Sequence, residues 1–284
     1  TYPLQNWNVP ISNTQKSAIA SGNEAMLNNM RIRIPGKPMI ATELQFCYPN
    51  RFRSEIAPLA GAYAAMQDWD AIYRFAYGHS TDKISRPTPV TTFDHFYDPI
   101  GILSGRIIYF LFVRGDVATA EGPIVCYGWN DPAYDDKFDP DFRNLGLFTR
   151  IGSAPQNAKI DNTLILPQQN WLDALPLQLR TGLKHYQDSG TAVSSTGEIT
   201  LDRKENRITV ITPRSELFTF TGGNAGGEFV SIEKSGGFAT ISAHSLDNLP
   251  LKESRDILLF HLTNALNSGT VFQNEEMRLT LDNG

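Results

Sequence analysis

Two consecutive strand–helix units toward the N-terminal end, and a series of short alternating strands toward the other, predict a parallel α/β portion followed by an antiparallel β-sandwich. The first unit is the apolar run Pro38-Met39-Ile40-Ala41-Thr42, ended by Glu43 and followed by a turn at Cys47-Tyr48-Pro49-Asn50. A small-residue helix then closes at Asp68-Trp69-Asp70. The second unit is Ala71-Ile72-Tyr73-Arg74-Phe75-Ala76-Tyr77, then a loop and a helix opening at Asp98-Pro99. The third observation is the alternation that sets in after Ser194. A half-buried strand repeats every two residues, so such runs read as strands with one face in a core.

Taken in order, Thr1 to Asn13 is polar, carries Pro3 and Pro10, and reads as an extended arm or loop. Ala18, Ile19, Ala25, Met26, Leu27 and Met30 fall near one helical face, interrupted at Ser21-Gly22-Asn23-Glu24. A short helix opening near Asn23 is expected, the asparagine capping it and Glu24 favouring its first turn. From Ser54, a candidate N-cap, the apolar positions Ile56, Leu59, Ala60, Tyr63, Ala64 and Met66 keep helical spacing. Pro58 lies early enough to be tolerated, and many alanines with Gly61 let the helix approach a sheet closely. Asp68 and Asp70 are read as capping that helix and steering the chain into the next strand.

Asp98 followed by Pro99 is an N-cap with proline at the first helical position. That helix runs through Ile100, Leu103, Ile107, Ile108 and Leu111 to Arg114-Gly115-Asp116. Residues 118–190 read as a loop-rich connection holding Trp129, Trp171 and the aspartates 131, 135, 136, 139 and 141. These lack the ligand alternation and pivotal glycine of a calcium loop, and read as solvated. Strands are expected at Glu198–Asp202, Arg207–Ile211, Leu217–Phe220, Phe229–Ile232, Phe238–Ser242 and Ile257–Leu262. Six short strands with Gly- or Pro-containing turns suggest a compact antiparallel sandwich over 191–284.

Composition narrows the function classes. At 284 residues the chain can bury a large core. A formal net charge of -5 gives no attraction to nucleic acid or to an anionic membrane. No apolar run approaches the roughly 20 residues that span a bilayer. Cys47 and Cys126 make neither a disulfide framework nor a metal-ligand spacing, and no metal or cofactor is expected. Few basic residues with many Asn, Thr, Ser and aromatics fit an exported bacterial carbohydrate protein, secreted, periplasmic or at the cell surface. The chain opens at Thr1 with neither methionine nor signal peptide, which reads as processing or as a piece of a longer polypeptide.

The stretch Lys37-Pro38-Met39-Ile40-Ala41-Thr42-Glu43 resembles the seventh strand of the clan of retaining (β/α)8 glycoside hydrolases that includes cellulase-like and β-galactosidase-like families. Pro49-Asn50-Arg51-Phe52-Arg53-Ser54-Glu55, Ala62 to Asp70, and Asp98-Pro99 with Phe112 to Val117 extend the likeness over about Gly36 to Val117. The resemblance implies that 1–117 is the C-terminal part of a catalytic (β/α)8 barrel, and that an accessory β-sandwich follows. It also implies that Glu43 is the nucleophile. Only about 40 residues precede Glu43, whereas a seventh barrel strand needs six strand–helix units before it. The general acid/base and the missing units are then expected in the N-terminal portion of the same polypeptide.

A retaining glycosidase needs two carboxyl groups about 5–5.5 Å apart. Tyr48, Asn50, Tyr77 and His79 follow the two strand ends and are the candidates to bind sugar there, since sugar rings offer apolar faces to aromatics and hydroxyls to amides. The plainer reading of Glu43 is a strand-end carboxylate paired with Arg51, Arg53 or Arg74. His95 beside Asp94 reads as an ordinary loop pair, since no nucleophile motif accompanies it. Two other functions stay open: a non-catalytic glycan-binding relative, and an interaction protein working through its sandwich.

Overall fold

The structure, a computed structural model, describes residues 11–130, 139–233, 236–272 and 277–283. Its first part runs β1 (Ile11–Thr14), α1 (Glu24–Arg31), β2 (Ile40–Leu44), α2 (Ile56–Met66), β3 (Ala71–Arg74), α3 (Thr81–Ser85) and α4 (Pro99–Ile108). There follow β4 (Ile124–Trp129), β5 (Ile151–Pro155), β6 (Thr163–Leu166), α5 (Trp171–Ala174) and α6 (Leu177–Ser189). The last part is all strand: β7 (Thr191–Val193), β8 (Ile199–Asp202), β9 (Arg207–Ile211), β10 (Ser215–Thr221), β11 (Ala225–Gly226) and β12 (Ser231–Ile232) come first. They are followed by β13 (Phe238–Ser245), β14 (Ile257–Leu262), β15 (Thr270–Phe272) and β16 (Met277–Asn283). No helix among the described residues is long and apolar enough to cross a membrane.

β2 and β3 pair in parallel, with α2 as their crossover. Every residue of α2 is buried, as suits a helix apolar on all sides. Its small residues make that possible: a Cβ on Gly61 would stand 3.2 Å from the Ile108 backbone of α4. One continuous core joins Ala41 and Leu44 of β2, the two helices, and Leu201, Ile208, Val210 and Leu217 of the antiparallel sheet. The helices are therefore a middle layer. Asp98 caps α4 by accepting from the Ile100 amide at 3.2 Å, with Pro99 at the first position. Asp70 does steer the chain: its carboxylate accepts from Met39 N at 2.7 Å and its own amide donates to Met39 O at 3.0 Å. Asn23 does precede α1, but its side chain makes no capping hydrogen bond.

The stretch 118–190 is more structured than a loop-rich connection. β5, β4 and β6 form a parallel sheet in that order, and α6 follows. The signal was hidden because β4, Ile-Val-Cys-Tyr-Gly-Trp, is buried along its length except at its last residue and so shows no alternation. The carbonyl of Arg33 accepts from Ser153 N at 2.8 Å, and Gly152 leaves room for it where a Cβ would lie 2.7 Å away. Among the described residues the parallel strands form these two separate sheets and close no barrel. Of the aspartate group, 131, 135 and 136 lie outside the described residues. Asp139 accepts from Trp171 Nε1 at 2.8 Å and Asp141 from Gln187 at 3.2 Å, both structural bonds.

The C-terminal part holds a six-stranded antiparallel sheet in the order β14-β13-β10-β9-β8-β7, compatible with a sandwich. Its central strand β10 is covered on both sides. Leu217 faces the helix layer, and Phe218 and Phe220 pack with Ala225 and Val230 of the β11–β12 hairpin. A further sheet joins β1, β16 and β15.

Candidate functional site

The end of β2 departs from regular pairing. Ala41 lies opposite Ile72 and Leu44 opposite Arg74, so Thr42 and Glu43 together face the single residue Tyr73. This is a β-bulge, which re-aims side chains where a strand ends. Regular alternation would send Thr42 and Glu43 to opposite faces. Here Ala41 and Leu44 are buried, and Thr42 and Glu43 are both exposed. Tyr73, 61% exposed, belongs to the same face, since its neighbour Ile72 packs on the core.

Two of the three arginines that could pair with Glu43 are committed elsewhere. Arg53 is buried and grips Asp98 with two 2.8 Å bonds, Asn264 Oδ1 at 2.8 Å and the carbonyls of Asn50 and Ala265. Arg74 donates to Gln45 Oε1 at 2.9 Å and to the Gly101 carbonyl at 3.1 Å. Burial lowers the Arg74 guanidinium to about 10, so it stays charged at neutral pH. The guanidinium of Arg51 lies 5.8 Å from the Phe52 ring centre. Among the described residues Glu43 has no hydrogen-bond or ion-pair partner, and its carboxylate stands in solvent.

The other candidate residues divide. Tyr48 is 2% exposed; its hydroxyl accepts from Asn267 N and lies 3.2 Å from Thr270 Oγ1. Asn50 is fully buried, accepting from Phe52 N at 2.7 Å and donating to the Lys16 carbonyl at 3.3 Å. Both hold the turn after β2 rather than facing solvent. Tyr77 and His79 sit at the open end: Tyr77 is 52% exposed and the His79 side chain 49%.

Beyond Arg74 the chain keeps running beside residues 93–96. Ala76 N donates to Phe93 O at 3.0 Å, and His95 N and Phe96 N donate to the carbonyls of Ala76 and Tyr77. The edges and faces of Phe75, Phe93, Tyr77, His95 and Phe96 meet in T-shaped contacts, building an aromatic wall at the strand end. His95 is inside this wall, its imidazole pushed down to about 4 by burial with the Arg74 charge adding to it. Among the described residues Asp94 makes no hydrogen bond to its neighbour His95. It takes His79, through both the backbone amide at 3.0 Å and the ring Nδ1. Thr91 Oγ1 donates to the other Asp94 oxygen at 3.0 Å, and Lys83 Nζ stands at 3.5 Å. Burial alone would raise the Asp94 carboxyl, but the bonds from His79 and Thr91 outweigh it and hold the group below the usual range. The wall residues Phe93 and Phe96 had no sequence signal of their own, because the loop that carries them has no period, and Asp94 stood out only as the neighbour of His95.

Two other clusters have the right residue types for chemistry and the wrong surroundings. Ser215 Oγ contacts both Asp116 and His244 Nδ1, at 2.6 Å to the latter, but here serine is the central member and all three are buried. Asp116 is also held by Arg114 and Arg214, His244 Nε2 meets Ser242 Oγ at 2.9 Å, and burial pushes the imidazole down to about 3. A general base works best with a value near the operating pH, and burial moves His244 away from it. A cavity of about 460 Å³ lies on the antiparallel sheet, lined by Glu198, Glu216 and Phe229 among others. Glu216 there accepts from the amides of Glu228, Phe229 and Val230, and Glu198 from Ala118 N, so both carboxylates brace backbone. No group of three or more potential metal ligands occurs among the described residues, and the two cysteines are free and buried. No protein-family model, curated protein or solved structure matches the chain.

Proposed function

We propose that the chain carries the nucleophile side of a retaining glycoside hydrolase acting on a poly- or oligosaccharide, with Glu43 as the nucleophile. One observation carries this reading: the bulge at Thr42-Glu43, which turns a carboxylate onto the uncovered face at the C-terminal end of a parallel strand pair. Strand C-terminal ends are where parallel α/β architectures gather their chemistry. β2 and β3 are read as the last strands of a (β/α)8 barrel whose other strands belong to the N-terminal portion of the same polypeptide. Those strands would pair along the open edges of β2–β3 and cover Ile40 and Tyr73. In retaining hydrolysis the Glu43 carboxylate would attack the anomeric carbon and form a glycosyl–enzyme ester as the leaving oxygen is protonated. Water would then release the sugar. The proton donor is a second carboxyl about 5–5.5 Å away, supplied by the covering portion. Tyr77 and its aromatic wall would line the sugar's apolar face, and such a substrate places the protein at the cell surface or in secretion.

The test is Glu43→Gln in the complete polypeptide, assayed on a panel of nitrophenyl glycosides. Loss of turnover on the order of 10³-fold or more, with the fold intact, is expected. Azide added to Glu43→Ala should restore cleavage and give a glycosyl azide of inverted configuration. Unchanged turnover in Glu43→Gln would remove the nucleophile role. A wild type that binds glycans without turning them over would instead assign the non-catalytic reading.

A further inference from the structure

His79 and Asp94 are built as a unit at the same strand end as Glu43. Asp94 Oδ1 receives both the amide and the ring Nδ1 of His79, and Phe75 meets the imidazole edge-on at 5.2 Å between ring centres and 88°. The second oxygen of Asp94 is anchored by Thr91 at 3.0 Å, with Lys83 at 3.5 Å. The ring is thus fixed in position and in plane while half its surface stays open. A carboxylate only accepts hydrogen bonds, so it assigns the proton of a neutral imidazole to Nδ1 and leaves the Nε2 lone pair outward. Among the described residues Nε2 has no partner.

We infer that Asp94 is a positioning residue that holds His79 as a hydrogen-bond acceptor for one hydroxyl group of the bound sugar. This rests on the glycoside hydrolase reading and adds a specificity element to it. An outward lone pair can take an O–H donor and cannot satisfy a carboxylate or a sulfate. The group recognised at this point is therefore a neutral hydroxyl. A site built to bond a hydroxyl rejects the analogue that lacks it, because its polar group is then left without a partner.

Two measurements test it. Long-range proton–nitrogen spectra of the histidine-labelled protein at pH 8 should show Nδ1 protonated and Nε2 bare in His79. Asp94→Ala should return the ring to the Nε2–H form favoured by free imidazole side chains. Finding Nε2–H in the wild type would overturn the inference whatever the enzyme does. In the complete polypeptide, nitrophenyl pyranosides are compared with their monodeoxy counterparts. His79→Leu should raise KM for the parent sugar about 10- to 100-fold, leave kcat within about threefold, and remove the discrimination against one deoxy analogue. Asp94→Asn should move KM the same way by less. If Glu43→Gln is inactive and His79→Leu treats every sugar as the wild type does, the inference fails and the glycosidase reading stands. If Glu43→Gln keeps full turnover, the nucleophile reading fails, and the inference that rests on it fails with it.

Discussion

The two main sheets of this molecule are finished to different degrees. The antiparallel sheet is covered at its centre on both faces, Leu217 toward the helices and Phe218 under the β11–β12 hairpin. The β2–β3 pair is covered on one face only, leaving Ile40 at 42% and Tyr73 at 61% exposure. Parallel strands normally lie buried on both faces, because their crossover helices cover them. The helix layer supplies one cover for β2–β3 and none for the other face. The two roles fall on different faces: the core that holds the chain together lies between helices and antiparallel sheet, and Glu43, the proposed nucleophile, lies on the bare face.

The largest expected effect sits on the finished side. Phe218 is fully buried opposite Ile241 and Thr209 on the neighbouring strands. Phe218→Ala should lower unfolding free energy by about 3–5 kcal/mol in urea titrations, through lost burial and the cavity left behind. A loss below about 1 kcal/mol would mean that the sheet is not the stabilising half, and the contrast would collapse.

How far each half could be read from sequence follows from the same difference. Arg207–Ile211 alternates buried and half-buried residues, so period two exposes it. β4 is buried on both faces and looks like any apolar run. Glu43 was legible as a strand-end carboxylate, but its direction was not. A bulge is a property of the pairing register between β2 and β3, and alternation along one strand carries no trace of it. Tyr48 and Asn50 looked like mouth residues because they follow the strand. Their partners Asn267, Thr270 and Lys16 lie far off in sequence and draw them inward. The link from His79 to Asp94 spans 15 residues of irregular loop, beyond any local pattern.

The next effect concerns the junction between helix layer and antiparallel sheet, where His244 stacks on Phe110 at 4.6 Å. Burial lowers its imidazole from an ordinary 6.5 to about 3, so between those values the unfolded chain binds the extra proton. Stability then rises with pH across that window. The contribution is complete above about pH 6.5 and is lost as pH falls toward 3, by about 1.4 kcal/mol for each unit. His95, lowered to about 4, acts in the same direction. Urea midpoints measured from pH 8 to pH 4 should fall in the wild type and fall less steeply in His244→Gln, although the variant starts lower. Parallel profiles would show that His244 is not the group being protonated.

The smallest effect should be on the bare face. Tyr73→Ser removes a ring that is mostly in water, so this chain should change in stability by no more than about 0.5 kcal/mol. Exposed Ile40 and Tyr73, bordered by strand edges that are unpaired among the described residues, favour association, and sedimentation should show the substituted chain less prone to it. In the longer polypeptide proposed above the expectation reverses. If further parallel strands cover Tyr73 there, the same substitution should cost about 1.5–3 kcal/mol, the value of burying a large side chain. Equal and small effects in both settings would mean that nothing covers this face. Glu43 would then stand on an open surface with no opposing wall, and a second carboxyl could not reach it.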